Sequence, residues 1–250
     1  MDLHFTIDRD LCIQCGACAD DCPFHIIDLT DGYPALNPAR EHHCIQCQHC
    51  LAVCPTAALS ICGCDPHQSL PLPQSLPSGQ QMEALIRGRR SVRRYHPEAL
   101  DPALIADLLR TVANAPTGKN NRQCLFTVIE DRASMDVFRR ETMEGLRRAV
   151  ASKRLSEGLS YFRHVVTAWD QGKDIIFRNA PHLLMVSAPP TITTPDADLL
   201  IAMSYFELLA ASKGIGTLWN AMIRWALATI DTDLYRLLGD RKSTRLNSSH

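Results

Sequence analysis

The chain has 250 residues, 46% of them hydrophobic and 21% charged, with a net charge of −1. That composition excludes wholesale disorder, and the near-neutral balance argues against a general nucleic-acid binder. No stretch approaches the roughly 20 uninterrupted apolar residues of a membrane span. The start, MDLHFTIDRD, has neither the basic opening nor the apolar run of an export signal, so a soluble, cytoplasmic protein is expected.

Cysteine dominates what remains: there are 11, nine of them before residue 63. An odd number without an export signal points to metal rather than disulfides. Charge is divided as unevenly. Residues 1–65 carry nine acids against Arg9 and Arg40, a net of −7, which leaves +6 for the rest. An acidic head on a mildly basic body implies two modules in series.

In chain order, CIQCGACADDCP from Cys12 recurs as CIQCQHCLAVCP from Cys44, a period of 32 residues. Two copies make a duplicated supersecondary element, since a solenoid needs more. A short strand (HFTI) precedes the first copy, and a short helix is expected after each cysteine triplet. Residues 65–80, with Pro66, Pro71, Pro73 and Pro77, read as a semi-extended linker that sustains neither a helix nor a sheet interior. It separates a domain at 1–64 from one at 81–239.

In the second domain QMEALIRGRR reads as a helix, and Asp101-Pro102 opens another through about Asn114. CLFTVIE (124–130) and HLLMVSA (182–188) read as strands. Between them lie the amphipathic helix RASMDVFRRETMEGLRRAV and a mostly helical region to about 178. ADLLIAMSYFELLAASKG (197–214), apolar on nearly every side, is expected as a buried central helix ending at Gly214. Residues 240–250, DRKSTRLNSSH, equal the in-frame translation of a widely used sequencing-library adapter. They are read as a non-native tail after Gly239 and set aside from the fold.

Each repeat reads C-x2-C-x2-C-x3-C-P, the bacterial ligand run for a pair of [4Fe-4S] clusters. Three thiolates at this spacing wrap one cube, and the fourth serves the other. Cys12, Cys15, Cys18 and Cys54 are expected on one cluster, and Cys44, Cys47, Cys50 and Cys22 on the second. Eight thiolates could instead hold two zinc ions, but zinc sites usually use paired C-x2-C knuckles from separate strands. Residues 1–62 resemble two-cluster bacterial ferredoxins. Cys62 and Cys64 read as stray thiols, with an accessory redox pair as the alternative. Cys124 reads as a small buried hydrophobe, and His42, His43 and His49 as surface or packing residues.

RGRRSVRRY (87–95) packs five arginines around Ser91, which suits either a solvated helix end or a phosphate grip. APTGKNNRQ (115–123) offers amides and cations to a flat heterocycle. KGIGTLWNA (213–221) lacks the third glycine and the preceding strand of a dinucleotide fingerprint. This order of motifs, with Ala180-Pro181 before a strand, resembles the nitroreductase family of FMN flavoproteins over about residues 82–239. The whole chain looks like a ferredoxin–nitroreductase fusion. The fold class expected is α+β, with a small two-cluster ferredoxin-like domain joined to a nitroreductase-like α+β FMN domain.

The resemblance implies a homodimer with FMN at the dimer interface. It places Arg89, Arg90 and Ser91 on the phosphate and Arg93 toward the flavin pyrimidine. Asn121 and Gln123 fall on the ring, with Asn120 as an alternative to Asn121 and with Pro116 and Thr117 in the turn before them. Asn220 and Ala221 match the flavin-facing stretch, though the family commonly has glycine or an acid where Ala221 stands. The family also draws phosphate contacts from a C-terminal segment, which would lie beyond residue 239, so weak FMN binding is expected. The implied chemistry passes electrons from two [4Fe-4S] clusters to FMN and on to a small conjugated acceptor such as a nitroaromatic or quinone. Trp219 and Phe126 read first as plain core residues, with apolar cover for the ring as the alternative. Lacking a nucleophile–base pair, the sequence designates no catalytic residue. One alternative is an electron carrier with FMN as a relay, its acidic head docking a basic protein partner. Another is a flavin-free structural domain. A protein electron donor is a further expected partner, and nucleic acid and a membrane span are not expected.

Overall fold

The computed structural model describes residues 2–70, 72–152, 157–227 and 246–247. It divides into two compact units, Met1–Ser78 with Lys119–Asn121, and Gly79–Gly118 with Arg122–His250.

The first unit runs β1 (Thr6–Ile7), α1 (Ala17–Asp20), β2 (Ile27–Thr30), β3 (Tyr33–Leu36), α2 (His49–Ala52) and β4 (Leu59–Ser60). β1 pairs antiparallel with β4, Ile7 opposite Leu59, so the two ends of the duplicated segment meet. β2 and β3 form a hairpin that turns at Asp31-Gly32, with φ of 50° and 83°. Asp-Gly is the pair that adopts such a two-residue turn most readily. Leu3, Ile26, Ile27, Leu51, Leu59 and Ile61 form the core together with Cys18 and Cys50.

The sequence repeat is also a backbone repeat. Gln14 and Gln46, Gly16 and Gln48, and His25 and Ala57 all have positive φ, each pair 32 residues apart. For a residue with a Cβ this conformation costs on the order of 1–2 kcal/mol. Both copies accept it because the chain must turn sharply around each cysteine group. Gly16 and Gln48, left-handed at φ 77° and 58°, are the N-caps of α1 and α2. Each helix therefore starts inside the cysteine triplet and stops before the fourth cysteine, rather than following the triplet as expected.

The proline-dense segment is also more ordered than expected. A 3-10 turn spans Pro66–Gln68, where the Asp65 carboxylate accepts the His67 N–H at 2.9 Å. A short helix, α3 (Leu72–Ser75), comes next. Proline suits a first turn because the first N–H groups of a helix have no acceptor within it.

The second unit runs α4 (Gly79–Gly88), α5 (Pro102–Val112), β5 (Leu125–Ile129), α6 (Arg132–Ala151), α7 (Phe162–Asp170), β6 (Leu183–Ser187), α8 (Pro195–Ser212), α9 (Ala221–Trp225) and β7 (Leu246–Asn247). Asp101 and Asp131 cap α5 and α6, accepting the N–H groups of Ala103 and Ser134 at 2.8 Å. The Ser134 N–H holds the Asp131 carboxyl below its ordinary value. The sheet order is β6-β5-β7, antiparallel throughout, with Phe126 opposite Val186. One apolar cluster joins α6, α7 and α9, and another joins α5, β5 and α8. β7 lies in the segment set aside as a tail. The open edge of β5 presents backbone groups that any extended segment can pair.

α8 departs from expectation. It is helical as read and Gly214 comes after it with φ 73°, but only Asp198, Ala202 and Ala210 are buried. Leu200 is 56% exposed and Tyr205 49%. The helix packs on α4, α5 and β6, and Leu200 and Tyr205 stay exposed among the described residues.

A buried ion pair sets the approach to β6. Arg139 of α6 donates to the Ala180 carbonyl and to Asp136, and its Nε lies 3.6 Å from Asp174. Asp174 accepts the N–H groups of Phe177 and Asn179 at 2.8 and 2.9 Å. This holds Arg178 and Asn179 at φ 56° just before Ala180-Pro181. Removing one member of a buried pair leaves an uncompensated charge, typically costing about 3–5 kcal/mol. D174A is therefore expected to lower urea-unfolding stability by about 3 kcal/mol, against no more than about 0.5 kcal/mol for E83A at the exposed Glu83–Arg87 pair.

Candidate functional site

Two cavities in the first unit gather the repeat cysteines. The first is lined by Cys12, Cys15, Cys18 and Cys54, together with Gly16, Pro34 and Leu59. The second is lined by Cys22, Cys44, Cys47 and Cys50, together with Pro23, Phe24 and Ile61. Each encloses about 360 Å³ including its open mouth. Three thiols in each come from one repeat and the fourth from the other, because α1 and α2 pack together and carry the chain across. Among the described residues, no three His, Cys, Asp or Glu side chains converge on a single-ion position. The thiols stand round the cavity walls.

The walls are apolar, and that governs the thiols. Burial pushes Cys18 and Cys44 up from their ordinary values. Burial also pushes Cys50 up to about 12, with Cys47, Cys22 and Cys44 adding to the effect. At Cys54 burial again acts upward, but the N–H groups of Ala58 and Thr56 and the Thr56 hydroxyl outweigh it and leave the thiol below its ordinary value. The Ala58 N–H donates to Cys54 Sγ at 3.2 Å, and the Gln46 N–H donates to Cys44 Sγ at 3.4 Å. Thiols disfavoured as isolated anions, with backbone donors aimed at their sulfurs, suit a cationic centre that ionises them on coordination.

The remaining cysteines and histidines line up differently. Cys62 is next to the cavity-lining Ile61 but lines neither cavity, and burial raises its thiol, with Cys44 the first of its charged neighbours. Cys64 Sγ reaches the Cys62 carbonyl at 4.0 Å. Cys124 is buried in the second unit, where burial, with Asp198 nearby, raises its thiol. His49 lines the second cavity and places Nε2 3.1 Å from Asp21, while the His42 and His43 rings pack at 3.9 Å.

In the second unit, α8 anchors the three motif segments. From its middle, Glu207 takes Arg89 Nη1 at 3.0 Å. Beyond its end, the Val92 N–H donates to the Thr217 carbonyl at 2.9 Å, and the Val92 side chain fills the space a Cβ on Gly216 would need. Near its start, Asp198 takes the Gly118 N–H at 2.9 Å. The arginine–serine segment and the GIGT turn are thus brought together. Arg90 and Arg93 are exposed; Arg90 donates to the carbonyls of Arg87 and Arg89, and Arg93 to that of Ser91. A guanidinium carries five donors, so both retain capacity for an anion beside Ser91. Arg89, expected on phosphate, pairs through Nη1 with Glu207.

The loop 115–123 is divided between the units. Asn121 falls in the first, where Asn120 donates to the Ile45 carbonyl at 2.9 Å, and Gln123 falls in the second. Asn220 caps α9 by accepting the Ile223 N–H and donates to the Ile176 carbonyl at 2.8 Å, so its amide is engaged in structure; Ala221 begins the helix. Phe126 is core, while Trp219 is 40% exposed. Sequence reasoning missed Asp198 and Glu207. The available signal was an acid inside an apolar run, where it needs a partner.

Against known proteins, the Nitroreductase family profile matches residues 86–239, and that of the 4Fe-4S dicluster domain matches residues 11–59. The chain is 42% identical over 60 residues to the methylamine utilization ferredoxin-type protein MauM of Methylobacillus flagellatus, covering 21% of this chain and 26% of that protein. It is 37% identical over 55 residues to a ferredoxin of Pyrobaculum islandicum, covering 22% and 50% respectively. The chain thus spans between about a quarter and a half of the length of these relatives. A crystal structure of a nitroreductase with bound FMN from Bacteroides fragilis superposes with a TM-score of 0.53 at 21% identity, over 63% of this chain and 78% of that one. This likeness is one of fold.

The contact at Gly216 can be tested directly. G216A places a methyl against Val92 and is expected to destabilise the chain by about 1–3 kcal/mol in urea unfolding, with V92A in the same chain recovering part of the loss.

Proposed function

Because the chain belongs to the nitroreductase family and carries a 4Fe-4S dicluster domain ahead of that region, we propose that it is an iron–sulfur flavoprotein oxidoreductase delivering electrons to a small conjugated organic acceptor, such as a nitroaromatic or a quinone. The observation that carries this reading is the sorting of eight thiols into two cavities, in one chain with an arginine–serine segment pinned beside the GIGT turn. When bound, [4Fe-4S] clusters supply single electrons at low potential, and FMN exchanges electrons singly or in pairs.

The residues present fit these groups. Cys12, Cys15, Cys18 and Cys54 would hold one cluster, and Cys44, Cys47, Cys50 and Cys22 the other. The N–H groups of Gln46 and Ala58 would stabilise charge on their sulfurs. Arg90, Ser91 and Arg93 would hold the flavin phosphate and pyrimidine edge, where a positive group offsets negative charge. Asn121 and Gln123 would bond the ring. Arg89 would act by fixing the start of this segment on α8 rather than by touching phosphate.

The uncovered face of α8 supports a homodimer, since exposed Leu200 and Tyr205 on an apolar helix match a surface that a second copy would bury.

A second reading concerns a protein partner. Leu11, Ile13 and Leu29 are exposed near the first cavity, Ile13 at 62% and as one of its lining residues. Asp10, Asp20 and Asp31 are exposed nearby in the chain, and Asp20 and Leu29 both approach Gly16. An apolar centre with an acidic rim suits a basic redox protein as electron donor, or as acceptor if FMN serves as a relay.

Protein prepared anaerobically is expected to contain about eight irons per chain with acid-labile sulfide, and to bind FMN when it is titrated in. C22S and C54S should each lose iron, as measured by metal analysis. Zinc without sulfide would overturn the cluster assignment, and a protein that binds no added FMN the flavin half. Steady-state reduction of small acceptors separates the enzyme from a carrier that reduces only a protein. In sedimentation, the wild type is expected as a dimer and L200E/Y205E as a monomer.

A further inference from the structure

We propose that Asp198 is the positioning residue of the loop 115–123, locking it in the conformation that presents its polar side chains to the flavin. This rests on the flavin reading above and assigns that site a residue outside its motifs.

Asp198 is 1% exposed on a largely apolar helix. A carboxylate so buried is costly unless its oxygens are met by donors, and an apolar side chain would pack there at lower cost. Its Oδ1 accepts the Gly118 N–H and the Thr194 hydroxyl, both at 2.9 Å. A Cβ at Gly118 would collide with Thr194 Oγ1, so the backbone of one loop and the side chain of another close on the same oxygen. The acid therefore ties residues 115–118 to the residue that opens α8.

The backbone just past Gly118 needs such a tie. Lys119, Asn120 and Arg122 have φ of 53°, 52° and 49°. Left-handed conformations at residues other than glycine persist only where the surroundings over-determine them. This stretch is held at one end by Asp198, at the other by the Arg122 N–H, which donates to Thr117 Oγ1 at 2.9 Å, and in between by the Asn120 amide, which donates to the Ile45 carbonyl. With the first anchor gone, the loop can relax to ordinary φ values, and the side chains it carries change direction.

The test uses the full chain, with hydrogen exchange of the 115–123 segment in flavin-free protein and FMN titration as separate readouts. D198A, which removes the acceptor, is expected to speed exchange in this segment at least tenfold and to weaken FMN binding at least tenfold. D198N keeps an oxygen acceptor in place and is expected to stay within about threefold of wild type on both. A folded D198A with unchanged exchange and affinity would overturn the proposal, as would a D198N as impaired as D198A. Should D198A not fold, G118A disrupts the same closure without touching the acid. It is expected to reproduce both losses, and unchanged values would again overturn the proposal. A wild type that does not bind FMN sinks the flavin reading instead, while the exchange data still decide whether Asp198 holds the loop.

Discussion

Neither cysteine repeat can complete a cavity alone. Each supplies three thiols to its own side and sends the fourth across, so the two copies must pack before either site has four walls. The antiparallel pairing of β1 with β4, the contact of α1 with α2 and the three positive-φ positions shared by the copies all serve that crossing. The apolar core between the repeats is small, and two cysteines are part of it. A domain of this size has little surface to bury, and bound clusters would contribute stability the side chains alone do not provide.

The second unit solves a similar problem with one helix. Polar groups at the start and middle of α8, and the turn beyond its end, hold two loops that are distant in sequence. A buried acid such as Asp198 is expensive in a largely apolar helix, but it and the half-buried Glu207 each meet a donor from a segment outside α8. The same helix that contributes to the hydrophobic core thus sets the geometry of the segments expected to meet a cofactor.

Cluster chemistry was the most legible part of the sequence, because four ligands on one cage tolerate few spacings and the pattern occurs twice. The strands at 125–129 and 183–187 and the capped helices were legible for a comparable reason, since local periodicity and cap residues act over a few positions. The burial of α8 was not. An apolar pattern on every side says that a helix avoids water, but not whether its own chain does the covering, and Leu200 and Tyr205 lie on the face left bare. The pairing of Arg89 with Glu207 was hidden as well, because the carboxylate lies 118 residues away. Proline density at 65–80 obscured a helical turn at 72–75, because the prohibition on proline does not apply to a first turn.

The bare face of α8 also bears on how the protein is made. If a second copy covers this face as proposed, each newly synthesised chain passes through a stage at which Leu200 and Tyr205 have met no companion, and exposed apolar side chains in that state adhere to whatever other unfinished chains are near. Yield in a cell would then be a race between correct encounter and aggregation, with synthesis rate and chaperone supply entering the same balance as the stability of the finished molecule.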